Sequence, residues 1–205
     1  LRGYGGSGKS TVMKAFVVML ETNHKDYTQL APTGKAAKRL RETTGRPAST
    51  IHMILAQDAH IDSDFVIIDE CSMVGVHLLS KLFDICESNT RFIFVCDEAQ
   101  LASISCGNVV QDIIDSGVVP TATLTKIFRY GSSGLATVAT DTREGKVGPR
   151  QNSNYPDYQF LSIGDKPIAQ ILDAYESLLD KYTKDDIMIL SPFNKGPVGT
   201  VAINK

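Results

Sequence analysis

The chain has 205 residues, 42% of them hydrophobic and 21% charged, with 16 glycines, 8 prolines and a formal net charge of −2. These values exclude a disordered, collagen-like or disulfide-stapled chain and allow one or two domains with cores of their own. No apolar run approaches the roughly 18 residues of a membrane span, and no basic-then-apolar leader opens the sequence, so the expectation is a soluble, cytoplasmic protein. A charge near zero argues against electrostatic coating of a duplex, but it leaves room for a local phosphate-binding groove.

Taken in chain order, the first element is a motif. Gly3 to Ser10 reads GYGGSGKS, which fits G-x-x-x-x-G-K-[ST], and helical periodicity follows over residues 9–20. Glycines let backbone N–H groups curl around a phosphate chain, Lys9 supplies a point charge to the β and γ phosphates, and Ser10 offers a hydroxyl to Mg²⁺. The predicted nucleotide-holding residues are Gly3, Gly5, Gly6, Ser7, Gly8, Lys9, Ser10 and Thr11. A chance match to this pattern in a chain this long is on the order of one in a hundred; an ordinary flexible glycine loop is the alternative.

A β-rich run at 27–31 leads into APTGKAAKRL and a short helix over 35–42; Lys35, Lys38, Arg39 and Arg41 on it could equally be a solvated basic face. STIHMIL follows at Ser49, then a polar stretch from Gln57 to Asp64. The next strand, 65–69, is FVIIDE, an apolar run ending in two carboxylates; behind a phosphate loop, Asp69 suits the Mg²⁺ shell and Glu70 the general base. A helix over 76–86, a strand over 92–96 leading to Asp97, and a helix over 109–115 complete this half. A turn at 117–121 marks a boundary, placed between residues 118 and 119. Beyond it come a strand at 121–125, a helix at 135–143, a polar stretch at 145–157, a strand at 158–162, a helix at 168–182 and a strand at 187–190. Strands alternating with helices predict an α/β fold with a parallel sheet covered on both faces. Cys71, Cys86, Cys96 and Cys106 form no CxxC pair and His24, His52, His60 and His77 no HExxH motif, so reduced thiols and no structural metal are expected.

Read together, the phosphate loop, APTGKAAKRL, STIHMIL, DECSM at Asp69, CDEAQLASISCG, LTKIFRY around Arg129 and ILSPFNKGPVGTVAIN resemble, in order and spacing, the RecD/TraA-type helicases of superfamily 1B. The resemblance implies a RecA-like P-loop NTPase domain over residues 1–118 and the beginning of a second RecA-like domain over 119–205. It also implies an ATP- and Mg²⁺-dependent helicase moving 5′ to 3′ on single-stranded DNA in repair or recombination. Pro32, Thr33, Gly34 and Lys35, with Thr50 and His52, would contact the strand. Asp97 and Gln100 would sense the γ-phosphate, and Arg129 would reach it from the second domain, giving Lys9, Asp69, Glu70, Gln100 and Arg129 as the catalytic set. Cys96 and Ala102 depart from the family's usual Gly and Pro. A lone histidine such as His52 is otherwise more often a structural residue.

By the same resemblance the chain is expected to be a piece: an adenine-contacting segment, the late motifs and a strand-separating pin are not in it, and by itself it should bind nucleotide weakly and unwind nothing. A nuclease or relaxase partner or fused domain is implied, with a monomer favoured. Two other classes stay open at this stage. A phosphate-loop kinase or GTPase would act without nucleic acid, although the N-K-x-D motif of a GTPase is missing. A nonenzymatic DNA-binding remnant would keep the motifs without turnover.

Overall fold

A computed structural model describes the chain except residues 58, 98, 99, 101, 102, 104, 129–133, 147–154, 163 and 205. The chain divides into two compact units, Leu1–Lys146 and Val147–Lys205.

In the first unit, strands and helices alternate: β1 (Arg2–Gly3), α1 (Lys9–Thr22), β2 (Tyr27–Ala31), α2 (Gly34–Thr44), β3 (Ser49–Thr50), α3 (Ile51–Ala56), β4 (Phe65–Ile68), a 3₁₀ turn (Cys71–Met73), α4 (Val76–Asp84), β5 (Arg91–Phe94), α5 (Val109–Asp115), β6 (Thr123–Leu124) and α6 (Gly134–Arg143). Four strands form a parallel sheet in the order β3-β2-β4-β5, and β1 pairs with β6, also parallel. The two sheets join edge to edge. The Leu1 amine donates to Phe94 O at 2.8 Å, Cys96 N to Leu1 O at 3.0 Å and Gly3 N to Cys96 O at 3.3 Å, with a parallel bridge between Arg2 and Cys96. One strand therefore separates β1 from β4, and the carboxyl ends of all these strands gather at one edge, where open α/β sheets hold their ligands.

Strand alternation sorts the core. Val66 and Ile68 point to one face and join Leu30, Ile51, Leu79, Leu82 and Val110, from β2 and the helices α3, α4 and α5. Ile67 points to the other face and joins Val95 and the α1 stripe Met13, Val17 and Leu20, whose spacing of four and three residues lines one side of a helix. Each of these β4 side chains is fully buried, as expected for a strand covered on both faces.

The polar stretch 57–64 is pinned by a bridge between Ile61 and Cys86, with Ile61 N donating to Ile85 O at 2.8 Å. The sequence does not announce β3 and α3: Ser49–Thr50 is a strand through its pairing with Leu30 and Ala31, and six residues of helix are too few for a clear period. All four cysteines are free thiols.

The second unit contains α7 (Pro167–Leu179), which begins with proline in its first turn, and α8 (Thr200–Ile203). The strands expected at 158–162 and 187–190 are a correction: among the described residues both runs lack any ladder. Apolar β-forming composition makes a strand only where a neighbour supplies hydrogen bonds, and here Leu161, Met188 and Leu190 are exposed. No helix among the described residues is long and apolar enough to cross a membrane.

Candidate nucleotide-binding site

The loop after β1 takes its shape from its glycines. Ser7 N donates to Tyr4 O at 3.0 Å, and Gly6 and Gly8 both have left-handed backbones, φ 83° and 92°. Gly8 caps α1 without a side-chain acceptor, and no acidic residue sits in the first turn. The first amides of a fourteen-residue helix are thus open toward an anion, at its positive end. Gly3 lies behind the loop as the last residue of β1; an added Cβ would meet Ser7 Oγ at 2.6 Å and Leu124 O at 2.8 Å. Phe128 N donates to Gly6 O at 2.9 Å and ties the loop to the segment after β6.

Lys9 turns back across this loop. Its Nζ donates to Gly3 O at 2.5 Å and Tyr4 O at 3.1 Å and stands 3.6 Å from Asp97 Oδ2. Gln100 Nε2 donates to the same Asp97 oxygen at 3.4 Å, so Asp97 links Gln100 to the loop's lysine. Asp97 itself is buried.

The two carboxylates after β4 arrive by a sharp turn. Asp69 N donates to Leu30 O at 3.0 Å, continuing the ladder, and Glu70 then adopts a left-handed backbone, φ 52°, with its N–H on Asp69 Oδ1 at 3.0 Å. The Asp69 carboxyl is pushed up by burial, against the Glu70 N–H and the Arg39 and Lys9 charges. Glu70 is raised by burial first and by the charges of Asp69 and Asp97, while Lys9 and Arg39 lower it.

A cavity of about 700 Å³ collects these groups: Gly5, Gly6, Ser7, Gly8, Lys9, Ser10 and Thr11 from the loop, Asp69 and Glu70, and Gln100. Arg39, Leu124 and Phe128 complete its wall. For Arg39 the sequence leaves a solvated basic face as an equal alternative and assigns it no role at this site. Its guanidinium lies 3.8 Å from Glu70 Oε1, and the only sequence signal for it was its place in the basic helix after APTG. The donor set suits a hydrated divalent cation on a phosphate chain: a hydroxyl at Ser10, a carboxylate at Asp69, and buried oxygens at Ser7 Oγ and Glu70 Oε2 with no hydrogen-bond partner among the described residues.

The residues expected to touch a strand cluster beside this site. β2 and β3 pair through Leu30 with Ser49 and Ala31 with Thr50, so the segments leaving both strands lie side by side. Thr33 and Thr50 are the N-caps of α2 and α3: Thr33 Oγ1 accepts from Ala36 N at 3.2 Å and Thr50 Oγ1 from Met53 N at 3.1 Å. Pro32, Thr33 and His52 line a second cavity of about 920 Å³. Gly34 begins α2 and is exposed, as is Lys35, which lines neither cavity. Cys96 is buried beside β1; Ala102 and Arg129 lie outside the described residues.

A parallel α/β sheet with a glycine loop capping a helix, and acidic residues at the ends of the neighbouring strands, defines a RecA-like phosphate-loop nucleotide-binding domain. The family described as "AAA domain" matches residues 1–166, and the chain belongs to it. It is similar to the ATP-dependent RecD2 DNA helicase of Deinococcus radiodurans, 36% identical over 141 residues, which are 64% of this chain and 19% of that protein. It is also similar to the RecBCD enzyme subunit RecD of Mycolicibacterium smegmatis, 28% identical over 181 residues, 71% of this chain and 32% of the relative. The chain thus spans about a fifth to a third of these relatives. A crystal structure of Bacteroides sp. Pif1 in complex with ADP-AlF4 matches 83% of this chain and 50% of its own, at 19% identity and a TM-score of 0.49.

Proposed function

We propose that this chain is the ATP-hydrolysing part of a DNA helicase, a motor that couples Mg-ATP turnover to movement along single-stranded DNA. The observation that carries the reading is the meeting, in one cavity, of the phosphate loop, the Asp69–Glu70 pair and Gln100, with Asp97 against Lys9. A second cavity holding Pro32, Thr33 and His52 opens at the adjoining strand ends. The similarity to the RecD2 helicase of D. radiodurans and to the RecD subunit of M. smegmatis supports the same class.

In this reading the amides at the α1 N-terminus and the Lys9 charge hold the phosphates of ATP. Ser10 and Asp69 would bind Mg²⁺, which when bound neutralises and orients the phosphates. Glu70, at the end of β4, takes the proton of the attacking water. Gln100 and Asp97 report the state of the γ-phosphate to the strand side, and Arg129 supplies a further positive charge to the transferred phosphoryl group. Pro32, Thr33, Gly34, Lys35, Thr50 and His52 hold the strand backbone, with a 5′ to 3′ direction. The first motor domain runs through the strands at the phosphate edge and a second begins beyond them. The pairing of β6 with β1 favours a junction past Leu124 rather than at 118. A cytoplasmic setting and a nuclease or relaxase partner belong to this proposal; the name of the M. smegmatis relative, a subunit of an assembled enzyme, supports a partner.

The test is ATP turnover with and without oligo(dT), in the protein carrying this chain and in its Lys9→Ala variant. Strand-stimulated turnover that disappears in the variant is expected. Equal activity in the two proteins refutes the assignment.

A further inference from the structure

Among the described residues that line the nucleotide cavity, Arg39 is a cation that the proposed mechanism leaves without a role. It projects from α2, whose first turn carries Thr33 as cap and the Gly34 and Lys35 amides assigned to the strand. Arg39 lies five positions after Gly34, about 8 Å of rigid helix. Arg39 Nη1 sits 3.8 Å from Glu70 Oε1, and both side chains line the nucleotide cavity. Among the described residues Glu70 Oε2 is buried without a hydrogen-bond partner, and the Glu70 backbone is left-handed. The neighbours come together because β2 and β4 are adjacent, in a register that places Leu30 beside Ile68. What leaves the end of β2 is therefore next to what leaves the end of β4.

We propose that Arg39 is a positioning residue that couples strand binding to hydrolysis: without a strand it holds the Glu70 carboxylate as an ion pair away from the attacking water, and a strand phosphate on the first turn of α2 shifts the helix and releases it. The inference rests on the proposed function. A carboxylate oriented toward a cation is not oriented toward a water, and geometry is the first requirement of a general base. Arg39 is half exposed, so the pair is weak enough for a bound polyanion to disrupt it.

The test compares wild type, Arg39→Gln and Arg39→Lys in the protein carrying this chain, reading kcat and KM for ATP with and without oligo(dT), and oligo(dT) affinity by fluorescence anisotropy. Arg39→Gln is expected to raise the unstimulated kcat by about fivefold, the shift a pair of this exposure can hold. KM and strand affinity should stay near wild type, and the ratio of stimulated to unstimulated turnover should collapse toward one. Arg39→Lys should restore part of the ratio. An unstimulated kcat that is unchanged or lowered, with the ratio preserved, overturns the coupling and leaves the ATPase assignment standing. Absence of any turnover in wild type overturns both.

Discussion

Replacing Gly8 by alanine separates backbone strain from steric clash in the phosphate loop. Gly8 has φ 92° and ψ 12°, and a Cβ built on it meets nothing within 4 Å. The penalty is therefore conformational alone, about 1–2 kcal/mol for an L-residue in the left-handed region. The reduced freedom of the unfolded chain offsets about 0.4–1 kcal/mol of it. The net loss is about 1 kcal/mol, roughly fivefold in the ratio of folded to unfolded protein. Nucleotide affinity should fall as well, because relief of the strain rotates the amides at the start of α1 away from the phosphate. Urea unfolding with an unchanged slope, and titration with a fluorescent ADP, read the two effects. Gly34→Ala is the control. Its Cβ is also unobstructed but its φ lies outside the left-handed region, so stability should hold or rise by up to about 1 kcal/mol. A Gly8→Ala protein with the wild-type midpoint, or an equal loss in both variants, refutes the argument that the left-handed backbone requires glycine.

Two further outcomes are expected. Glu21 accepts from Arg46 Nε and Nη2 and from Tyr27 Oη, and its pKa is lowered to about 2, first by the Arg46 hydrogen bond and then by Tyr27. A depressed carboxylate stabilises the fold above its unfolded value and loses that contribution as pH falls through its folded one. Glu21→Gln should thus lower the melting temperature at pH 7, and the gap from wild type should close between about pH 4.5 and pH 2 in a melting series. Thr33→Ala removes the acceptor for Ala36 N and should destabilise by about 1 kcal/mol in urea, with weaker oligo(dT) binding in anisotropy. Thr33→Ser keeps the oxygen and should restore both; a strand affinity untouched by Thr33→Ala would remove this residue from the strand site.

The elements that could be read from the sequence are those whose signal is local. The loop follows from glycine spacing, β2 from five residues of β-forming composition with matching bounds, and α5 from its own periodicity. Asp69 and Glu70 could be placed because an apolar strand must end somewhere, and the carboxylates mark where. What escaped the reading depends on pairing. β3 is two residues that are a strand through β2 alone, and the apolar runs 158–162 and 187–190 show β composition without a neighbour to complete it. Arg39 escaped for a related reason. In the sequence it is one of four basic residues on a helix, and only the adjacency of β2 and β4 brings it to Glu70, thirty-one positions away.

That adjacency also explains why this edge of the sheet is reactive. The segments after β4 and β5 deliver carboxylates, and two of these are set against a cation from a neighbouring element: Asp97 against Lys9 at 3.6 Å and Glu70 against Arg39 at 3.8 Å. Burial raises Asp69 and Glu70, because desolvation penalises the charged carboxylate more than the nearby Lys9 and Arg39 charges favour it. In the proposed function, the phosphates of ATP in the loop compete with Asp97 for Lys9, and a strand phosphate on α2 acts on the pair of Arg39 with Glu70. In that proposal the nucleotide acts on Asp97 and the strand on Glu70, through two cations on two different helices.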